Sequence, residues 1–272
     1  MTRYVLLVPL LLAACGSAPV EIKALTYNVA GLPEGISGSH PEHNTPLISP
    51  LLNPYDLVVV QEDFTYHDLL VSKATHPYRS RTKTPAVKVT GDGLNFFSRY
   101  AFDPAAVYRE EWVVCNGGID GSGSDCLAEK GYAKATINFS DDIAVDVFTL
   151  HCDASGGDLD QAVRARQVEQ LIAATSSSSN AIIVAGDTNL RLSRPMDVMT
   201  LERLKSGASL TDSCAATSCP DDDHIDRFLF RSSDRVLIEA VSWGIDGAML
   251  DEMGEDLSDH PAIIVTFRFT PR

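Results

Sequence analysis

The chain has 272 residues, 44% of them hydrophobic and 22% charged, with a formal net charge of −15 at pH 7. That length supports a sizeable core and one domain of the larger kind, and the composition is not that of a disordered chain. With no basic run anywhere, the acidic balance argues against long polyanions such as duplex DNA, whose binding draws on Lys and Arg neutralising phosphates.

The first stretch, MTRYVLLVPLLLAACGS, carries Arg3, an apolar run from Tyr4 to Ala14, and then Cys15. It is shorter than the roughly 20 apolar residues that span a bilayer and predicts a secretory signal. Its LLAAC ending resembles the lipobox of bacterial lipoproteins, which implies cleavage before Cys15 and lipid attachment at Cys15. An ordinary signal peptide cut nearby is the alternative. The expected organisation is a signal at 1–14, a short tether at 15–20 and one domain at 21–272. Losing the signal removes only Arg3, so the charge goes from −15 to −16. Gly16, rather than Asp, follows the cysteine and points to the outer membrane if the cell has one. The expected location is the cell envelope, with the protein exported, lipid-anchored and monomeric.

Beyond the tether, short apolar strands keep stopping at polar groups. IKALTYN ends at Asn28. PLISPLLN predicts a short helix before DLVVVQED, whose end carries Glu62. GLNFFSR ends at Arg99 and IAVDVFTLH ends at His151. In LDQAVRARQVEQLIAAT, apolar Leu159, Ala162, Val163, Ala165, Val168, Leu171 and Ile172 follow a period near 3.6, with Arg and Gln opposite and Asp158 placed to cap. The serines at 176–179 read as a connector. AIIVAGDTN then ends at Asp187 and Asn189, and RPMDVMTLERLKSG predicts a weaker helix with a Gly stop. HIDRFLFR carries Asp226, and LSDHPAIIVTFRF opens with Asp259 and His260. There is no internal repeat and no second-domain boundary. These patterns predict an α/β chain of two sheets packed face to face with helices outside.

Cys115 and Cys126 bracket CNGGIDGSGSDC, and Cys214 and Cys219 bracket CAATSC. In an exported protein such neighbours suggest local disulfides, although four cysteines allow three connectivities. Cys152, alone at a strand end, reads as a small buried apolar side chain. The acidic run Asp221, Asp222 and Asp223 reads as a solvated face, and Trp112, Trp243, Phe96 and Phe97 as packing.

Asn28, Glu62, His151, Asp187, Asn189, Asp226, Asp259 and His260 all fall at apolar strand ends, so their side chains can converge on one rim. Carboxylate and amide oxygens are hard ligands that suit Mg²⁺, with Mn²⁺ or Ca²⁺ as alternatives. A hard cation beside His and Asp fits a phosphoester site, the metal offsetting phosphate charge while an Asp activates water.

LTYNVAGLP, VVVQED, FTLHCDA, VAGDTN, IDRFLF and LSDHPAI resemble the successive motifs of the endonuclease/exonuclease/phosphatase superfamily, over about residues 21–270. LTYNVAGLP, DCLAEKGYAKATI and GDGLNFFSR are most similar to its bacterial and neutral sphingomyelinase branch. The resemblance implies a four-layer α/β/β/α sandwich of two mixed sheets and a metal-dependent phosphodiesterase. It implies Glu62 as principal metal ligand, with Asn28 beside metal and phosphate and Asp259 reaching the metal directly or through water. Asp187 would deprotonate the attacking water, and Asn189 and His151 would contact the phosphate. His260, oriented by Asp226, would act as acid/base or phosphate donor.

The chain departs from the pattern at Ala30, where several nucleases of the superfamily carry an acid, and at Cys152, where Leu or Met is expected. The acid that orients the first histidine is not evident; Glu110 and Glu111 are candidates, and an exposed strand edge explains them equally well. A phospholipid head group or small phosphodiester is the favoured substrate. The alternatives are a nuclease, marked by a cationic groove, and a non-catalytic binding module, against which the intact residue set argues.

Overall fold

The computed structural model describes residues 18–117, 125–220 and 223–272. Cys15 and the expected signal lie outside the described residues, as do Asp221 and Asp222. The chain runs β1 (Val20–Asn28), α1 (Pro41–Leu51), β2 (Leu57–Gln61), α2 (His67–Val71), β3 (Tyr78–Arg79), β4 (Asn95–Ser98), β5 (Tyr108–Glu111) and β6 (Gly131–Ser140). It continues with β7 (Ile143–His151), α3 (Asp158–Ser176), β8 (Ala181–Asp187), α4 (Pro195–Ala208), β9 (Thr211–Asp212), α5 (Ser213–Thr217), β10 (Asp226–Arg231), β11 (Val236–Ile245) and β12 (Ile263–Pro271).

The strands form two six-stranded sheets, ordered β11-β12-β1-β2-β4-β3 and β5-β6-β7-β8-β10-β9. Alternation along each strand builds three apolar layers. Ile22 and Ala24 of β1 meet Val145 and Val147 of β7 and Ile183 and Ala185 of β8 between the sheets. Leu25 and Tyr27 turn outward onto Ile48 of α1 and Leu52 at its C-terminal cap. Ile182 and Val184 turn outward onto Leu171 of α3 and Leu201 of α4. The expected four-layer sandwich of mixed sheets is therefore the fold.

Each sheet holds one parallel pair joined through a helix: β1–α1–β2 in the first and β7–α3–β8 in the second. Both crossovers deliver the carboxyl ends of their strands to the same rim.

Helix α3 differs from its expected orientation. Its buried side carries Gln161, Arg164 and Gln167 along with Val168, Leu171 and Ile172, while Leu159 is 70% exposed. Burial of these polar groups follows from their partners. Arg164 pairs with Asp197 at 3.0 Å, both fully buried, and its Nη1 donates to the carbonyls of Asp153, Ala154 and Ser155. Gln167 Nε2 donates to Asp153 Oδ1 at 2.6 Å. Gly157, not Asp158, is the N-cap, and Asp160 Oδ2 accepts from its N–H at 2.9 Å. Helix α4 runs through Gly207 and stops at left-handed Ser209 (φ 54°) instead.

Cys115 pairs with Cys126 and Cys214 with Cys219, with Cα atoms 5.4 and 4.9 Å apart. Cys152 is a buried free thiol whose pKa burial pushes up.

Candidate active site

Strand register places the polar ends side by side. His151 is paired with Asp187 across the parallel β7/β8 ladder, and Asp187 with Asp226 across β8/β10. In the facing sheet Asn28 is paired with Gln61, and Glu62 follows directly. The two sets meet across the sandwich at Asn28, whose Nδ2 donates to Glu62 Oε1 at 3.1 Å and to Asp187 Oδ2 at 3.2 Å. Its Oδ1 accepts from Ala30 N, so Asn28 presents donors to the site.

His260 enters from the loop before β12. Ser258 fixes that loop: its hydroxyl donates to Asn28 O at 2.7 Å and accepts from His260 N at 3.2 Å. The imidazole then lies with Nδ1 2.7 Å from Asp226 Oδ2 and Nε2 3.8 Å from Asp187 Oδ2. Burial alone would lower its pKa, but the Asp226 hydrogen bond and charge, with Asp187 and Asp259, raise it to about 10. His260 is therefore an imidazolium at neutral pH.

His151 is the opposite case. It is wholly buried, and desolvation, Lys130 and the charge of His260 hold its pKa well below the ordinary value, so it is neutral. Its Nε2 lies 3.3 Å from Asp187 Oδ2 and 3.8 Å from Glu62 Oε1, which places the proton on Nε2. Nδ1 is left as a bare acceptor without a partner. The two acidic candidates for that nitrogen do not reach it: Glu110 accepts from Tyr108 and Glu111 pairs with Lys88. Trp112, the residue after β5, donates from Nε1 to His151 O at 2.8 Å.

Asp187 is buried, and desolvation and Asp226 push its carboxyl well above the usual range, against His260 and Lys130. One of its oxygens accepts from Asn189 N at 2.9 Å. Asn189 is left-handed (φ 52°), a conformation Asn tolerates, and its Nδ2 donates to Cys152 O at 3.1 Å.

Asp259 lies at the exposed edge of this centre, its charge among those that raise His260. Side chains alternate across the Ser258 turn, so His260 faces inward and Asp259 is exposed, 3.5 Å from Ser258 Oγ. It lines a cavity of about 290 Å³ with Tyr27, Asp246, Met249, Asp256 and His260. A residue not singled out in the sequence does contribute: Lys130 is buried, its ammonium 2.5 Å from Asp125 Oδ1, and its charge acts on both His151 and Asp187. A lysine just ahead of a strand, five residues after an Asp, was the available signal.

The donor chemistry fits a hard divalent cation. Asp187 and Asp226 are two carboxyls beside the His260 imidazolium, Glu62 is a third joined to Asp187 through Asn28, and Asp226 Oδ1 has no partner. Among the described residues, the His, Cys, Asp or Glu side chains that gather closely enough in a group of three are Asp187, Asp226 and His260. There the 2.7 Å bond between Nδ1 and Asp226 already occupies the imidazole, so Glu62, with its carboxylate partly open, is the better anchor.

The profile of the Endonuclease/Exonuclease/phosphatase family matches residues 25–260. A sphingomyelinase of Mycobacterium tuberculosis is 30% identical over 271 residues, covering 92% of this chain and 53% of that protein. The chain thus spans about half the length of the curated relatives it matches. Sphingomyelinase C of Streptomyces griseocarneus superimposes with a TM-score of 0.64 at 19% identity, covering 91% of this chain and 99% of that one. Staphylococcus aureus beta toxin gives 0.66 at 16%, covering 90% and 99%, and a mutant of that toxin was solved with bound magnesium ions.

Proposed function

Because this chain belongs to the endonuclease/exonuclease/phosphatase family, we propose that it is a divalent-metal-dependent phosphodiesterase that cleaves a phospholipid head group of the sphingomyelin kind. The observation that carries the reading is the Asp226–His260 pair aimed at Asp187, with Asn28 joining Asp187 to Glu62. Asp187 takes the proton of the attacking water; its raised pKa makes it a competent base near neutral pH. Water oxygen bonds to phosphorus as the ester P–O bond breaks, and the departing oxygen leaves as the alcohol with a proton from the His260 imidazolium. His260 Nε2–H and His151 Nε2–H donate to phosphate oxygens as charge accumulates, and buried Lys130 adds a fixed positive charge. Asn28 and Asn189 supply further N–H donors. Mg²⁺, held by Glu62, would offset phosphate charge.

Two features favour a lipid over nucleic acid. The net charge of −15 opposes a polyanion. Large apolar side chains also stand exposed on loops: Ile36 in the loop after β1, Val87 and Val89 before β4, and Met253 before β12. An envelope location with lipid on Cys15 belongs to the same proposal; palmitate labelling should disappear in Cys15→Ser.

The test is hydrolysis of sphingomyelin, phosphatidylcholine, plasmid DNA and bis(p-nitrophenyl) phosphate, with Mg²⁺ or EDTA, by the parent and by Asp187→Ala. Mg²⁺-dependent release of the phosphorylated head group, absent in the variant, is expected. Cleavage of DNA in place of lipid would overturn the substrate assignment, and turnover unchanged in Asp187→Ala would overturn the site.

A further inference from the structure

Glu62 adopts a left-handed backbone conformation, φ 57°. That conformation is unfavourable for a residue with a side chain and persists where the surroundings over-determine it. Some of that constraint is backbone. Gly31 N donates to Glu62 O at 3.1 Å, and a Cβ on Gly31 would lie 2.4 Å from the same oxygen. On the other side Asp63 N donates to Gly93 O at 3.0 Å, and Gly93, itself at φ +64°, leaves no room for a Cβ beside the Phe64 ring.

The rest runs through Asp63, a buried carboxylate that the proposed chemistry does not use. Its Oδ2 accepts from Asn95 Nδ2 at 2.8 Å and lies 2.6 Å from His67 Nδ1. Asn95 Oδ1 in turn accepts from Ser80 Oγ at 2.8 Å and from Arg109 Nη2 at 3.1 Å. Arg109 belongs to β5 of the opposite sheet and also grips Asp92 at 2.7 Å. The peptide joining residues 62 and 63 is thereby tied to both sheets. The Glu62 carboxylate itself has Asn28 Nδ2 as its hydrogen-bond donor, so its placement depends chiefly on this backbone.

We infer that Asp63, with His67 and Asn95, is a positioning network that holds Glu62 in its left-handed conformation and so sets the cation affinity of the site. The inference rests on the reading of Glu62 as the cation's anchor.

Mn²⁺ binding, read directly from the electron paramagnetic resonance signal of the free ion, tests it in Asp63→Ala, Asp63→Asn, His67→Ala and Glu62→Gln. Partners that orient a metal ligand typically contribute ten- to a hundredfold in affinity. Asp63→Ala should raise the Mn²⁺ Kd by at least about tenfold, with kcat largely recovered at saturating Mn²⁺. Asp63→Asn keeps an oxygen for both neighbours and should restore most of the affinity. If Asp63→Ala does not fold, His67→Ala at the partly open end of the network should still raise the Kd, by less. Parent-like Mn²⁺ binding in both alanine variants, with Glu62→Gln losing the ion, would overturn the network alone. Parent-like binding in Glu62→Gln would overturn the anchor reading and the inference with it.

Discussion

Asp226→Asn is the most informative single change at the centre. It keeps the shape of a fully buried side chain and removes the charge 2.7 Å from His260 Nδ1. The rise of His260 from 6.5 to about 10 corresponds to about 5 kcal/mol in favour of the imidazolium. Asp226 supplies the two largest favourable contributions, ahead of Asp187 and Asp259. Its loss should bring the imidazole down to roughly 8, a change of about 3 kcal/mol. At pH 7 both proteins then remain mostly protonated, and the variant suffers only misorientation of the ring. At pH 9 the parent is still mostly protonated and the variant only about one-tenth so. The ratio of variant to parent kcat/KM should therefore fall about tenfold between pH 7 and pH 9, on top of any pH-independent loss. A pH–rate series on bis(p-nitrophenyl) phosphate measures this, and titration of the His260 ring protons by NMR checks the assignment. A ratio that stays flat over that range would refute the claim that Asp226 sets the charge on His260, or that the charged form is the working one.

Arg164→Ala should cost about 3–5 kcal/mol in urea unfolding, because it strands Asp197 in a dry interior and removes the donor shared by three carbonyls. Asp146 is pushed up by burial but held below its ordinary value by hydrogen bonds from Ser178, Thr136 and Asn180. A depressed carboxyl stabilises the fold above its unfolded pKa near 3.8 and loses that contribution as pH falls through the folded value. Asp146→Ala should consequently flatten the acid limb of a thermal-midpoint profile below about pH 4. Replacing Cys115 and Cys126 with Ser should cost about 3 kcal/mol and replacing Cys214 and Cys219 about 2, since the first pair closes the longer loop (sequence separation 11 against 5). Thermal melts of the two double variants check the order.

The sandwich was legible because inward and outward positions alternate along nearly every strand, and because strand ends at Asn28, Glu62, His151 and Asp187 break into polar residues abruptly. Helix α3 departs from its apolar periodicity for a physical reason. Apolar periodicity assumes that the buried face is the apolar one. Here the helix must also satisfy the carbonyls of residues 153–155 and Val114, and Arg164 and Gln167 are the side chains long enough to do so. Leu159 is displaced to solvent as a result. Asp259 and His260 are neighbours in sequence but point apart across the turn, and sequence order alone does not say which one faces in. Lys130 carries only a weak mark in the sequence, because a lone lysine before a strand is ordinarily a surface group; its burial against Asp125 distinguishes it.

The convergence itself follows from topology. An antiparallel neighbour brings the start of one strand beside the end of another, so the carboxyl-terminal ends of two adjacent strands cannot meet in a purely antiparallel sheet. One helical crossover in each sheet makes β1 and β2 parallel, and likewise β7 and β8, which brings Asn28 beside Gln61 and Glu62, and His151 beside Asp187. Packing the two sheets face to face then leaves one gap, between Asn28 and Asp187, to be closed by a side chain instead of a ladder bond. The 3.2 Å contact from Asn28 Nδ2 closes it. Asp226 and His260 reach the same point from antiparallel strands because each lies at the start of its strand, or just before it. The spacing of the motifs in sequence is therefore free to vary, while their order and their position at strand ends are not.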